Sequence, residues 1–190
     1  MKKAGCVDLR FGIESGSERV RKNIINKKIT DDQIIKAISI VKKNGLIASG
    51  FFLFGHPTET FEEMKQTIEL AKRCKVDYAA FMIASPIPRS KLFDVALEEG
   101  KIPKDIWKQV ILGKMDLPVY VPEGVTIEQM EKLQRKANRS FYLRPSYLIN
   151  QIRITPIRDL FFKAKIGSRL LLARGTWVEA TSSSNNRLHV

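Results

Sequence analysis

Cysteine is nearly absent from this 190-residue chain: Cys6 and Cys74 stand alone. Two isolated thiols build neither a disulfide framework nor a spaced metal-binding motif, so a reducing, cytoplasmic setting is the default expectation. Long apolar runs are missing as well, and none approaches the roughly 20 residues that span a bilayer. Asp8 and Arg10 interrupt the N-terminal region early enough to deny it the apolar core of a signal peptide. No internal repeat is visible. Acid is in short supply, with 20 Asp plus Glu against 33 Lys plus Arg, a formal charge of +13. The deficit is local: Lys132 to Arg174 holds eleven basic residues against the single acid Asp159, a net of +10. Such a stretch fits an anionic membrane surface or nucleic acid, but equally a solvated helical face or a surface for an acidic partner. Of the two functional readings the membrane is favoured over nucleic acid, which would hold the chain peripherally at the inner face.

What the chain does have is a strong alternation of short apolar runs and amphipathic stretches. The clearest run, Gly50 to Thr60 (GFFLFGHPTET), stops at Gly55, turns through His56-Pro57, and opens a helix. Four consecutive large apolar residues, Phe51 to Phe54, close a strand over about Ile47–Phe54 that reads as buried on both faces. Thr58 or Thr60 can cap the following helix, with Glu59, Glu62 and Glu63 suited to its N-terminal dipole. Before it lie a strand at Val7–Ile13, a short helix opening at Ser17-Glu18, and a helix announced by Thr30-Asp31-Asp32-Gln33 and ended by Asn44-Gly45. After it come a helix over Phe61–Lys75, a strand over Asp77–Ala84 and a helix over Ser90–Glu99. The order β-α-β-α-β-α implies an α/β fold with a parallel sheet. From Lys101 prolines break the pattern, and Ile106-Trp107 and Val119-Tyr120 read as draped segments. A helix from Thr126 to about Arg139, another from Ser146 to about Ile152, and a basic one over 156–173 complete a helical extension before a polar tail. The expected divisions are 1–100, 101–175 and 176–190.

All three strands end in residues unusual for plain connectors: Glu14-Ser15-Gly16-Ser17, Gly55-His56-Pro57-Thr58-Glu59 and Ser85-Pro86-Ile87-Pro88. Ligand sites in parallel α/β folds gather at the carboxyl ends of strands. Glu14 stands out, because a helix cap explains Ser15 or Ser17 but not an acid there. His56, a lone histidine, reads as a turn residue. Cys6 and Cys74 read as buried small hydrophobes. Tyr142, Arg144 and Tyr147 fit packing as well as a reach toward a substrate.

The segments FGIESGSERVRKNIINK, GFFLFGHPTETFEEMKQTIELA and ASPIPRSKLF, in that order, resemble the second half of a radical S-adenosylmethionine (radical SAM) barrel. The closest likeness is to the cobalamin-binding branch of methyltransferases and ring-forming enzymes, and KLQRKANRSFYLRPSYLINQIRI is similar to the segment that follows its barrel. The resemblance implies three consecutive βα units, the fourth to sixth of a partial TIM-like (β/α)6 barrel, followed by a helical C-terminal extension. It implies that Glu14, with Ser15 or Ser17 beside it, contacts the ribose of S-adenosylmethionine. Leu53, Gly55 and Pro57 would wall the adenine, and Ser85 would line the rim. The family's chemistry cleaves S-adenosylmethionine to a 5′-deoxyadenosyl radical with an electron from a [4Fe-4S] cluster, and cobalamin is a further cofactor in this branch.

Family members hold that cluster on a Cys-x3-Cys-x2-Cys loop, and Cys6 and Cys74 do not supply it. We therefore expect no catalytic residue and no metal ligand here. The expected object is the C-terminal portion of a larger enzyme, from a split or truncated reading frame or a deliberate fragment. It would be inactive alone, and its partner would be the N-terminal half of the barrel. The rival expectations are a basic membrane- or RNA-binding module and a truncated product without function.

Overall fold

A computed structural model describes residues 1–154. The chain divides into two compact units, Met1–Ala137 and Asn138 onward.

The first unit is built on one sheet of three parallel strands in the order β1-β2-β3: β1 Asp8–Glu14, β2 Ile47–Phe54 and β3 Tyr78–Ile83. A turn of π-helix at Val20–Ile24 and then α1 (Asp31–Lys43) connect β1 to β2, and α2 (Phe61–Cys74) connects β2 to β3. Parallel neighbours require such crossovers, so the fold is the α/β alternation expected from the sequence. Both helices begin with complete capping boxes. Thr30 accepts from the Gln33 amide and Thr60 from the Glu63 amide, while Gln33 and Glu63 reach back to their N-cap amides. Helical periodicity then buries Ile34, Ile38 and Val41 on α1 and Met64, Thr67, Ile68, Ala71 and Cys74 on α2.

β2 lies at the centre of the sheet, and its two faces are not equivalent. Phe52 and Phe54 are fully buried and stack on Phe81 of β3, with ring centroids 5.3 and 6.0 Å apart. Phe51 and Leu53, pointing the other way, are only half-buried. The expectation of a strand sealed on both faces is corrected to one sealed face and one partly covered. At the amino end of the sheet, buried Asp77 accepts from Lys42 Nζ at 2.7 Å and from the Ala48 amide at 3.0 Å, tying α1 to the strands.

After β3 come α3 (Lys91–Glu98, capped by Ser90) and α4 (Ile106–Ile111). The Ile106-Trp107 segment, expected to drape, is therefore helical, and Trp107 Nε1 donates to Pro86 O at 2.8 Å. Ala96, Ile102, Ile106 and Tyr120 form a small core of their own. The stretch around Tyr120 runs beside the end of β3, with its amide donating to Ala84 O at 2.8 Å. α5 (Ile127–Tyr142) starts at a Thr126–Gln129 cap and contributes Gln134, whose Nε2 donates to Phe81 O at 2.7 Å.

In the second unit the end of α5 meets α6 (Pro145–Ile154). Proline at the first position suits a helix start, where its missing N–H is not needed. Phe141, Tyr142 and Tyr147 form an aromatic cluster, and the Arg144 guanidinium lies 4.0 Å over the Phe141 ring. Packing accounts for these residues. The expected helix over 156–173 and the polar tail lie outside the described residues, as does the part of the basic stretch 132–174 beyond residue 154.

One glycine is dictated by packing. A Cβ on Gly16 would stand 2.4 Å from the backbone of Gln66 and Thr67 on α2, and the Gly16 amide donates to Thr67 Oγ1 at 2.7 Å. Gly16→Ala must push the β1 loop off the helix and is expected to cost about 1–3 kcal/mol, an overpacking penalty. Urea denaturation checks this; an unchanged midpoint would show that the loop moves freely.

Candidate functional site

The carboxyl ends of β1 and β2 are adjacent, and the sequence distorts both. In β1 the register slips by one residue between Gly12 and Glu14, so Gly12 faces Phe51 while Glu14 already faces Phe52. The bulge leaves Glu14 at φ 70°, a left-handed conformation uncommon for a residue with a side chain. Its carboxylate Oε1 accepts from Lys27 Nζ at 2.8 Å, and the same ammonium donates to Gly12 O at 2.7 Å. A Cβ on Gly12 would sit 2.5 Å from Glu14 Oε1, so glycine makes room for this pairing. No described residue donates to Glu14 Oε2, leaving one carboxylate oxygen open for an outside donor.

Beyond Glu14 the loop is pinned inward. Ser15 and Ser17 are buried. Ser15 Oγ donates to Glu59 Oε1 at 3.0 Å and accepts the Ser17 amide at 3.2 Å, while Ser17 Oγ donates to Glu63 Oε1 at 2.8 Å. Both hydroxyls that were paired with Glu14 on sequence grounds are thus engaged in the scaffold. Glu63 also takes the Arg19 guanidinium in a two-pronged bond, 2.8 Å from Nε and 2.7 Å from Nη2. That pairing, first among its causes, lowers the Glu63 carboxyl to about 2.

Glu59 joins the two strand ends. It is 1% exposed, and its second oxygen accepts the Gly55 and His56 amides at 2.9 and 3.0 Å. Burial nonetheless pushes its pKa up to about 7, against the pull of those three donors. Arg21, with no exposed surface, donates from Nη1 to Ser15 O at 2.7 Å and from Nη2 to Asp31 at the start of α1.

Sequence reasoning missed Glu59, Arg21 and Lys27 as parts of this arrangement. A signal for Glu59 was present: the Thr60–Glu63 box already caps α2, and Glu62 and Glu63 already answer its dipole, so the acid before the cap is not required there.

At the β2 turn, Gly55 adopts φ 92°, and a Cβ there would meet Met130 Cε at 2.5 Å and Tyr120 O at 2.8 Å. The turn is therefore covered on that side by α5 and the Tyr120 stretch. Leu53 and Pro57 are half-buried. Ser85, at the end of β3, donates to Pro118 O at 2.6 Å. The site residues named from sequence thus lie at three neighbouring strand ends, with Ser15, Ser17 and Gly55 joined through Glu59 and Glu63, and Glu14, next in the chain to Ser15, held by Lys27.

His56 is buried, and its Nε2 has no hydrogen-bond partner among the described residues. Burial lowers the imidazole pKa to about 4, so the ring is neutral at pH 7; the field of Glu14 opposes that shift and the field of Lys27 adds to it.

Neither cysteine is placed for iron. Cys74 is buried on α2, its thiol pushed up to about 12 by burial, and Cys6 precedes β1 at the opposite end of the sheet, donating to Asp8 O at 3.7 Å. Among the described residues no group of three or more His, Cys, Asp or Glu side chains could hold a metal ion. Nor is any described helix long and apolar enough to cross a membrane.

Residues 1–71 match the family model described as the radical SAM superfamily. The chain is 43% identical over 152 residues to an uncharacterized methyltransferase of Pyrococcus horikoshii, covering 80% of this chain and 32% of that protein. It is 29% identical over 150 residues to cytidylyl-2-hydroxyethylphosphonate methyltransferase of Streptomyces wedmorensis, covering 76% and 28%. Against anaerobic magnesium-protoporphyrin IX monomethyl ester cyclase of Rubrivivax gelatinosus the identity is 30% over 92 residues, covering 48% and 16%. The chain spans about a third of the length of the first two of these relatives.

Proposed function

Because this chain belongs to the radical SAM superfamily, we propose that it forms the ribose- and adenine-facing wall of an S-adenosylmethionine site in an enzyme of methyltransferase or cyclase type. The observation that carries this reading is the open oxygen of Glu14, held at a strand end by a bulge and by Lys27. A carboxylate so fixed accepts a hydrogen bond from a sugar hydroxyl without reorganising. Half-buried Leu53 and Pro57 on the neighbouring strand end offer apolar surface to a base. Ser15 and Ser17 hold the loop while Glu14 makes the contact.

The resident thiols do not fit an iron–sulfur cluster. In this reading, cluster ligands come from outside these 190 residues, and the chain alone has no electron source. The named activities of the methyltransferase and cyclase relatives, together with the FYLRP segment, favour the cobalamin-binding branch for the complete enzyme. S-adenosylmethionine, when bound, supplies the carbon–sulfur bond that this family cleaves. The part of these residues is to bind and orient its nucleoside.

Three measurements test the reading. Adding 5′-deoxyadenosine to the ¹⁵N-labelled chain is expected to shift the amide signals of residues 14–17 and 53–57. Glu14→Gln is expected to weaken the binding roughly 10- to 100-fold, the loss of a charge-assisted hydrogen bond. Iron and sulfide reconstitution of the chain is expected to yield no stoichiometric four-iron cluster. Unmoved signals would remove the nucleoside wall, and a catalytically active four-iron cluster on this chain would remove the division of labour.

A further inference from the structure

Among the described residues, the His56 imidazole is the one buried polar side chain at the strand ends with a nitrogen, Nε2, that the scaffold leaves without a partner. Nearly every buried polar atom in a folded protein is hydrogen-bonded, and an orphaned one calls for a reason. The neighbouring buried groups all have partners: Ser15 and Ser17 on Glu59 and Glu63, Glu59 on two amides, Arg21 on Ser15 O and Asp31. His56 Nε2 has none. The backbone of the same residue is firmly placed, since its amide is bound by Glu59 at 3.0 Å. Its fixed position next to Gly55 therefore comes from the turn, and the imidazole is free to serve something else.

Two further facts locate that service. The turn that carries His56 directly follows β2, whose end pairs with β1 at Glu14, so the imidazole stands at the strand end next to the open carboxylate, and the fields of Glu14 and Lys27 act on it. And the ring is neutral, carrying one donor and one acceptor nitrogen. We propose that His56 Nε2 and Glu14 Oε2 together take the two vicinal hydroxyls of the nucleoside ribose, making His56 a specificity residue for a cis-diol. A hydroxyl both donates and accepts, so it satisfies Nε2 in either imidazole tautomer, whereas the ionised carboxylate only accepts. Lys27, bound to Glu14 Oε1, holds the second anchor in place. This rests on the nucleoside wall proposed above and assigns it a second polar contact.

The experiment uses the full chain and three probes: adenosine, 2′-deoxyadenosine and 3′-deoxyadenosine. Nitrogen-15 spectra of the histidine side chains follow His56 Nε2 directly while affinities are measured in parallel. Adenosine is expected to move the Nε2 resonance, and loss of either hydroxyl to weaken binding about tenfold. His56→Phe is expected to weaken adenosine about tenfold and to flatten the distinction between adenosine and one deoxy analogue, as coupling between the residue and that hydroxyl requires. His56→Gln, whose amide offers both a donor and an acceptor, is expected to recover most of the affinity. Circular dichroism and urea midpoints show whether each variant is folded. Should His56→Phe fail to fold, the Nε2 resonance and the analogue series in the unaltered chain still decide. An Nε2 signal indifferent to adenosine would mean that an internal water satisfies the ring, and would overturn the diol assignment while leaving the Glu14 wall standing. Equal affinities for all three probes overturn it too. If the unaltered chain binds none of the probes, both proposals fall.

Discussion

Arg21→Met is expected to destabilise the protein by about 3–5 kcal/mol, the loss found when one member of a buried charge network is removed. The guanidinium has no exposed surface, and its three nitrogens serve three different segments. Nη1 donates to Ser15 O at the end of β1, Nη2 to Asp31 in the first turn of α1, and Nε to Ile29 O at 3.3 Å. Methionine fills most of the volume but leaves the buried Ser15 carbonyl without its donor, at a cost of about 1–3 kcal/mol, while the Ile29 carbonyl, on an exposed residue, loses less. Asp31 is partly protected because Arg73 also binds it at 2.9 Å, so Asp31→Asn is expected to cost less than Arg21→Met. Arg21→Lys should fall between, since a single ammonium does not reproduce a fork aimed at several acceptors. Urea melts with a constant m-value measure all three. The functional consequence runs through Ser15: with its carbonyl released, Glu14 loses its fixed setting and the nucleoside-induced shifts of residues 14–17 should broaden or vanish. A loss below 1 kcal/mol for Arg21→Met would show that water enters and replaces the guanidinium.

How much of this was legible beforehand depended on how local the cause was. β2 was readable to its end residues, Ile47 and Phe54, because an apolar run lies between Asn44-Gly45 and Gly55. The caps at Thr30 and Thr60 were readable because a capping box is written within four residues. α4 was not, since six residues between prolines carry too little periodicity to show a helix. The half-covered face of Phe51 and Leu53 was hidden for another reason: a strand's sequence shows that it is apolar but not what lies opposite it. In the site, Glu14 was visible as an acid with no local purpose. The Ser15–Glu59 and Ser17–Glu63 contacts join residues 44 and 46 positions apart, and no spacing rule connects them. Arg21 was hidden by its type, because a basic residue in a polar stretch is ordinarily solvated. Its burial follows from the π-helical turn that carries it beneath the β1 loop.

Glu59 gives the second large effect, and its pH dependence separates it from a simple packing loss. Glu59→Ala leaves the Gly55 and His56 amides and the Ser15 hydroxyl without their acceptor, for an expected loss of about 2–4 kcal/mol. Glu59→Gln should be far milder, because its carbonyl can keep the two amides while its NH2 donates to Ser15 Oγ. The carboxyl of the folded protein is raised to about 7 from an ordinary 4.5, chiefly by burial. Between these values the folded state holds more protons than the unfolded one, so this group makes stability fall as pH rises from 4.5 to 7. The full difference is on the order of 3 kcal/mol at 1.36 kcal/mol per unit. Glutamine has no proton to lose, so the penalty of Glu59→Gln should shrink, or reverse, between pH 5 and pH 8. Glu63 acts in a separate window. Its carboxyl is lowered to about 2, so its contribution is intact above 4.5 and is lost as pH falls toward 2. Urea midpoints at pH 3, 5 and 8 for the unaltered chain and Glu59→Gln therefore resolve the two carboxylates, one on each side of pH 4.5. Parallel profiles for the two proteins would mean that Glu59 stays ionised throughout, its three donors outweighing burial. In that event the bracket between the β1 loop and the β2 turn would be held by a permanent charge, with no proton to release.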